Sequence, residues 1–334
     1  MQPKPDSRRI PIEEREGTRK AISVAQEFSR ARIPVIRPTA VRAAVLVILG
    51  ACLLSFAPVF VRLAEVPPTT AGFYRMLFGA LTLAGILLMR PALRAGWRSD
   101  WGASVLIAAI FAVDIWFWHR SIHYIGPGLA TLLANFQVFI LTLIGVFFLR
   151  ERVGWRFGTG LGCATAGLWL LFGREWAVLP PDFRLGVVFG LLTAVAYALY
   201  ILSLRGFQIR RGDIRTEARL VQVTVLCGLM LGGLNLLEGN DFTIPNLESL
   251  VWLVALGGLC QVGGWICITR GMPVLPAAVV GLFLLIQPSG SMVLDVLFFG
   301  LRLSPLETAG AVLALVGIYF GFRSVARRAP REPV

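Results

Sequence analysis

Two ionisable side chains fall inside long apolar segments of the sequence, where a charge is costly and marks a candidate functional residue. Arg75 lies five residues into the segment 70–89, and Asp114 lies six residues before the end of the segment 101–120. If both segments are helices, a rise of 1.5 Å per residue places both groups roughly 8–9 Å below the same membrane surface. Two interpretations stay open: a substrate or proton site, or a structural ion pair joining two helices. Asp295, near the end of a third segment, is a third candidate; we expect it at the membrane interface, with a functional role as the alternative.

Polar and aromatic side chains recur at helical spacing in several apolar segments, which indicates helix faces that line a cavity. Gln287 and Ser291 are four residues apart, as are Gln261 and Trp265. Aromatic groups beside a buried arginine and a carboxylate suit a small organic solute with an apolar portion. The alternative is that these polar groups only join neighbouring helices. The candidate solute-binding residues are Arg75, Asp114, Trp118, Asn135, Gln137, Tyr197, Tyr200, Gln261, Trp265, Gln287 and Ser291.

The patterns that mark other chemistries are missing from the sequence. Its five cysteines lie in apolar segments without a CxxC pair, which is typical of small core residues rather than zinc ligands or disulfides. There is no HExxH and no Walker A motif, so we expect no metal, no cofactor, no enzymatic activity and no ATP hydrolysis. An integral-membrane enzyme is the competing class, but it would need clustered carboxylates or deep histidines. His119 and His123 are the only histidines, and we expect a pair in contact with water, with a pH sensor or weak metal site as the alternative.

The composition places these residues in a membrane. Of the 334 residues, 56% are hydrophobic and only 15% are charged, whereas a soluble domain carries about 25% charged residues. The formal net charge is +13, but most Lys and Arg residues lie in short gaps between apolar segments. That distribution is typical of membrane topology rather than of nucleic-acid binding. We therefore expect contact with membrane lipid and no nucleic-acid partner.

The apolar segments predict the fold class. A hydrocarbon core of about 30 Å needs roughly 20 residues of helix to cross it. Continuous apolar runs without alternation exclude a β-barrel. The sequence therefore predicts an all-α polytopic membrane protein with ten transmembrane helices. The predicted spans are 43–63, 70–89, 101–120, 127–149, 157–173, 185–204, 218–237, 249–269, 275–298 and 305–322.

The arginines near the ends of these spans predict the orientation. Sixteen fall on one side of the membrane and five on the other, and the positive-inside rule assigns the richer side to the cytoplasm. Both termini are then cytoplasmic, in a bacterial-type inner (plasma) membrane. Residues 1–40 lack the pattern of a cleaved signal peptide, so we expect the first span to direct insertion. Residues 1–40 are predicted to be a disordered basic tail, and 324–334 a short basic tail.

The second half of the sequence resembles the first at an offset of 150 residues. The shift aligns Arg120 with Arg270 and Gln137 with Gln287. Because each half has five spans, the second copy must enter the membrane inverted relative to the first. Two inverted five-helix repeats are typical of proteins that alternate between inward-open and outward-open states around one site. The other identical pairs are Leu132 and Leu282, Phe148 and Phe298, Gly160 and Gly310, and Gly167 and Gly317.

Three stretches carry a family resemblance: SFAPVFVRLAEVPPTTAGFYRMLFGAL at 55–81, FQVFILTLIGVFFLRERVGWRFGTGLGCATAGLWLL at 136–171, and LIQPSGSMVLDVLFFGLRLSPLETAGAVLALVGIYF at 285–320. They resemble the EamA-type units of the drug/metabolite transporter superfamily. The first unit is assigned to 43–173 and the second to 185–323.

The resemblance implies a secondary transporter, and an exporter, of a small organic metabolite that is amino acid-like or drug-like. A membrane-embedded sensor or interaction protein without flux is the alternative. The sequence departs from the family pattern at two positions. Val138 replaces an expected proline, although Pro288 stands at the equivalent place, and Leu301 stands where the first unit has Glu151. The two halves are therefore not expected to be functionally equivalent.

Overall fold

The computed structural model describes residues 40–89, 101–149, 155–173, 176–210, 216–272, 275, 280 and 283–326. Every regular element within these ranges is a helix. Most of both predicted tails and several of the arginines used to assign the orientation, such as Arg90, Arg94 and Arg98, lie outside the described residues.

The described helices are numbered in chain order. In the first half they are α1 (Ala40–Ser55), α2 (Ala57–Leu63), α3 (Pro68–Met89), α4 (Trp101–Ile125), α5 (Pro127–Ala134), α6 (Gln137–Leu149), α7 (Trp155–Leu168) and the π-helix π1 (Trp169–Gly173). In the second half they are α8 (Pro181–Arg210), α9 (Thr216–Leu237), α10 (Leu247–Ala255), the π-helix π2 (Leu256–Gly264), α11 (Trp265–Gly271), α12 (Ile286–Phe299) and α13 (Pro305–Ala326).

The apolar content of these helices confirms an all-helical polytopic membrane protein. Within the described ranges, six helical stretches are long and apolar enough to cross a membrane, and shorter apolar helices cover Pro127–Leu141, Ile286–Phe299 and Pro305–Phe320. Large apolar side chains such as Leu88 and Leu237 are exposed, as expected where lipid is the solvent. The count of ten spans stays a prediction.

Local sequence signals explain where several helices begin. Proline occupies the first position of α3, α5, α8 and α13, where the missing N–H costs no helical hydrogen bond. The side chain of Asn246 caps α10 by accepting a hydrogen bond from the Ser249 backbone N–H. Ser304 and Glu307 form a reciprocal capping box at the start of α13.

The helices of the two halves pack in corresponding ways. Two contacts join helices at equivalent places of the two halves: α3 with α9, and α7 with α13. Other contacts come in exchanged pairs. The contact of α4 with α8 corresponds to the contact of π2 and α11 with α1. The contact of α4 with α9 corresponds to the contact of π2 with α3.

The α7–α13 crossing has the same reciprocal character at the level of single residues. A Cβ atom at Gly167 would lie 2.5 Å from the Gly310 carbonyl oxygen, and one at Gly317 would lie 2.6 Å from the Gly160 carbonyl oxygen. The pairs Gly160/Gly310 and Gly167/Gly317 are the ones that the 150-residue offset aligns. Exchanging the halves therefore converts one contact into the other. Only glycine allows the two backbones to approach so closely.

Candidate functional site

A cavity of about 670 Å³ lies within the bundle. Its walls are largely apolar and aromatic, with a few polar groups, which is the usual composition of a small-molecule site. Ten of the eleven predicted site residues line it: Arg75, Asp114, Trp118, Asn135, Gln137, Tyr197, Tyr200, Gln261, Trp265 and Gln287.

Ser291 is the predicted site residue that does not line the cavity. Its hydroxyl donates to the backbone carbonyl of Ser55 at 3.0 Å and is fully buried. Close packing at this point is aided by Gly290, where a Cβ atom would lie 2.6 Å from the Ser55 Oγ. Ser291 therefore joins α12 to α1, which is the alternative that the sequence left open for such polar groups.

Arg75 is held by a neutral partner. Its Nε donates to the Gln261 Oε1 at 2.8 Å, and both side chains are buried. The guanidinium carbon lies 5.2 Å from the centre of the Trp118 ring, a distance suited to a cation–π contact. The Nη1 atom of Arg75 is buried without a hydrogen-bond partner. Part of a buried cation is thus left unsatisfied in the cavity wall.

Asp114 lines the same cavity but does not pair directly with Arg75. The two side chains are each 5% exposed, and no ion pair within 4 Å joins them among the contacts of the described residues. The Oδ1 atom of Asp114 is also buried without a hydrogen-bond partner. The direct structural ion pair considered from the sequence is therefore not formed, and Gln261 is the hydrogen-bond partner of the Arg75 Nε instead.

Aromatic rings form one wall of the cavity. Tyr200 stacks on Phe111 with ring centres 4.5 Å apart and on Tyr197 at 6.2 Å. The Oε1 atom of Gln137 is buried without a hydrogen-bond partner. Phe111 was not predicted from the sequence, although it lies three residues before Asp114 on the same helix face and that spacing could have identified it.

The cavity reaches one end of the bundle, here called the Arg270 end. Thr269, Arg270 and Met272 line it there and are exposed. Leu87 and Leu220, near the corresponding ends of α3 and α9, line it as well. This is the end that the arginine distribution assigns to the cytoplasm.

Two polar clusters lie at the opposite end, here called the Arg120 end. In the first, Arg62 lies 3.9 Å from Asp295, and Asp295 also accepts a hydrogen bond from the Gly128 backbone N–H at 2.8 Å. The guanidinium of Arg62 covers the ring of Phe299 at 4.4 Å. Asp295 is only 1% exposed. The carboxylate therefore links α2, α5 and α12 rather than facing water, and its expected position at the membrane interface stays a prediction.

The second cluster centres on Glu238, at the end of α9. Its carboxylate lies 2.6 Å from Arg120 and accepts hydrogen bonds from the Thr69 hydroxyl and the Trp116 indole N–H, both at 2.7 Å. Arg120 also lies 3.8 Å above the Trp116 ring. Burial raises the pKa of Glu238, but the hydrogen bonds and the charge of Arg120 outweigh burial and lower that pKa from its ordinary value. The cluster joins α3 and α4 of the first half to α9 of the second.

The histidines do not form the expected water-exposed pair. His119 is fully buried, and its Nδ1 lies 3.1 Å from the Pro68 carbonyl oxygen, whereas His123 is exposed. Within the described ranges, no group of three or more His, Cys, Asp or Glu residues is placed to hold a metal ion.

Comparisons with known proteins agree with this architecture. The sequence pattern of the EamA-like transporter family matches residues 41–173 and again 184–323, which is most of the chain. No curated protein matches the chain. A solved structure titled "Crystal structure of protein" is 19% identical with a TM-score of 0.61, covering 86% of this chain and 98% of that one, and it is similar in fold alone. The double match to one family identifies the chain as a member of the EamA-like transporter family, within the drug/metabolite transporter superfamily.

Proposed function

We propose that this protein is a secondary transporter that moves a small organic solute through the central cavity by alternating access. The observation that carries the proposal is that both charged groups of the inner cavity wall have an unsatisfied atom, Nη1 of Arg75 and Oδ1 of Asp114. A buried polar atom without a partner is costly, and a buried charge more so. A bound solute that supplies the missing partners relieves both costs at once.

The two groups favour a solute with one anionic and one cationic group. A carboxylate or phosphate of the solute would accept from Arg75, and an ammonium group would donate to Asp114. The stacked rings of Phe111, Tyr197 and Tyr200 suit an aromatic or other apolar portion. An amino acid-like solute combines these three features. A drug-like cation would use Asp114 and the aromatic wall without Arg75.

The position of the cavity suggests which state of the transport cycle the structure represents. The cavity reaches the Arg270 end, and the Arg62–Asp295 and Arg120–Glu238 clusters tie the helices together at the Arg120 end. With the predicted topology, this arrangement is a cytoplasm-facing state. The reciprocal packing of the two halves supports an inverted repeat, whose halves can exchange inward-open and outward-open shapes. Export is the direction implied by the family resemblance.

The proposal can be tested with three probes that share one phenyl group. Phenylalanine carries both charges, 3-phenylpropionate carries only the anion, and phenethylamine carries only the cation. We expect the purified protein to bind phenylalanine most tightly and to carry it across proteoliposome membranes. A bound ligand raises thermal stability by mass action, so melting temperature reports binding and radiolabel uptake reports flux.

Variants of the two charged residues give the sharper result. Arg75→Gln should lose preference for the probes with a carboxylate, and Asp114→Asn should lose preference for the probes with an amine. Flux of phenylalanine at the wild-type rate in folded Arg75→Gln and Asp114→Asn would contradict the proposed site. Binding without flux in the wild type would instead support a membrane-embedded sensor.

A further inference from the structure

Gln261 fixes the orientation of Arg75 without neutralising its charge. The Gln261 amide oxygen accepts from the Arg75 Nε, and Gln261 is 1% exposed. The strongest protein partner for a buried arginine is a carboxylate, which would cancel the charge of the guanidinium. A neutral amide accepts from one N–H of the guanidinium and leaves the positive charge uncompensated at that contact.

The backbone near Gln261 allows this contact. Gln261 lies in π2, and π-helical turns are rare and frequently occur at functional sites. A Cβ atom at Gly257 would lie 2.7 Å from the Gly79 backbone nitrogen and 2.9 Å from the Arg75 carbonyl oxygen. A Cβ atom at Gly79 would lie 3.3 Å from the Gln261 Cγ. The two glycines therefore bring π2 against α3 at the turn that carries Arg75.

The cavity keeps its own carboxylate away from Arg75 as well. Asp114 is the one acidic side chain that lines the cavity within the described part of the chain, and it is not in contact with Arg75. Trp118 covers the guanidinium but adds no formal charge. Within the described residues, the groups in contact with the Arg75 guanidinium are therefore neutral, and its Nη1 has no hydrogen-bond partner.

We propose that Gln261 is a positioning residue that sets the charge preference of the cavity, because it orients Arg75 while leaving its charge for an anionic group of the solute. The inference rests on the proposed function only in taking the cavity as the solute site. It assigns Gln261 an action through Arg75 rather than a contact with the solute.

The test exchanges the amide of Gln261 for a carboxylate of the same shape. In Gln261→Glu, we expect binding of phenylalanine and 3-phenylpropionate to weaken about ten- to a hundredfold, the size of one charge-assisted hydrogen bond. Binding of phenethylamine should be unchanged or stronger. Asn246→Asp is the matched control, since it makes the same amide-to-acid change at an exposed helix cap and should leave all three affinities unchanged. A merely structural Gln261 would weaken the three probes equally, which would overturn the inference.

A second measurement does not depend on the solute. Phenylglyoxal modifies the neutral form of arginine, and a carboxylate beside Arg75 stabilises the charged form. Mass spectrometry of the Arg75 peptide should therefore show about tenfold slower modification in Gln261→Glu than in the wild type. Equal rates would overturn the inference. If the wild type binds none of the three probes, the proposed solute class fails, while the phenylglyoxal rates still decide whether Gln261 controls the charge on Arg75.

Discussion

Removing the Glu238 carboxylate should open the Arg120 end of the cavity. Glu238 accepts from Thr69 and Trp116 and pairs with Arg120, so it holds α3 and α4 against the end of α9. A hydrogen bond to a charged group is worth about 1.5–3 kcal/mol. The Glu238 side chain is 21% exposed, so water replaces part of what is lost. We therefore expect Glu238→Ala to weaken closure by about the value of one such bond rather than three.

This free energy corresponds to a rise of about ten- to a hundredfold in the outward-open population. The assay uses a chain whose five cysteines are replaced by alanine and whose cavity carries the reporter Ala134→Cys. A membrane-impermeant thiol reagent, added outside intact cells, should label the reporter faster in Glu238→Ala by that factor.

Glu248→Ala is the matched control, because Glu248 is exposed near the same end and makes one long hydrogen bond of 3.4 Å, to Trp252. It should label at the wild-type rate. Equal labelling in Glu238→Ala and the wild type would refute the role of Glu238 in closure. Rapid labelling of the wild-type reporter from outside would refute the closed end itself.

Three further results are expected. Gly167→Ala should lower the melting temperature by the equivalent of about 1–3 kcal/mol, because the added methyl group overpacks against α13. Gly162→Ala on the same helix should not lower it, because nothing lies within 4 Å of its Cβ position. Equal melting temperatures of the two variants would contradict the close crossing. Because the pKa of Glu238 is lowered, its stabilisation of closure should hold above the ordinary carboxyl range and fade as the pH falls below that range. The ratio of reporter labelling in the wild type to that in Glu238→Gln cancels the titration of the thiol. This ratio should rise at the lower pH, and a flat ratio would contradict the prediction. Reporter fusions after residue 245 should be periplasmic, and those after residue 212 and at the C-terminus cytoplasmic; a periplasmic C-terminus would contradict the five-plus-five topology.

Which residues share the cavity could be predicted in large part from residue type and spacing. Counting residues predicted matching depths for Arg75 and Asp114. The structure places both in the wall of one cavity, and their depth in the membrane stays a prediction. Their direct pairing could not be judged, since depth does not define the rotation of each helix about its axis. Gln261 shows why: it lies in a π-helix, where the ordinary turn of 3.6 residues does not apply.

The two polar clusters at the Arg120 end could not be predicted from the sequence, for a different reason. Glu238 follows the last residue of α9, where no periodicity marks a face, and its partner Arg120 lies 118 residues earlier. Asp295 was expected at the membrane interface because its segment ends nearby. Its hydrogen bond from the Gly128 N–H, at the start of α5, could not be predicted. Such contacts depend on how helix ends from the two halves meet in three dimensions.

The glycine crossing of α7 and α13 has a mechanical consequence. Interlocked side chains resist relative rotation of two helices, because each knob must leave its hole. At Gly167 and Gly317 the nearest atoms of the facing helix are backbone atoms rather than side chains, so we expect the contact to serve as a pivot. A rotation of about ten degrees there moves a point ten residues along the helix, about 15 Å away, by about 3 Å. We expect this crossing to keep its packing during transport, while the ends of α7 and α13 move and change access to the cavity from each end of the bundle.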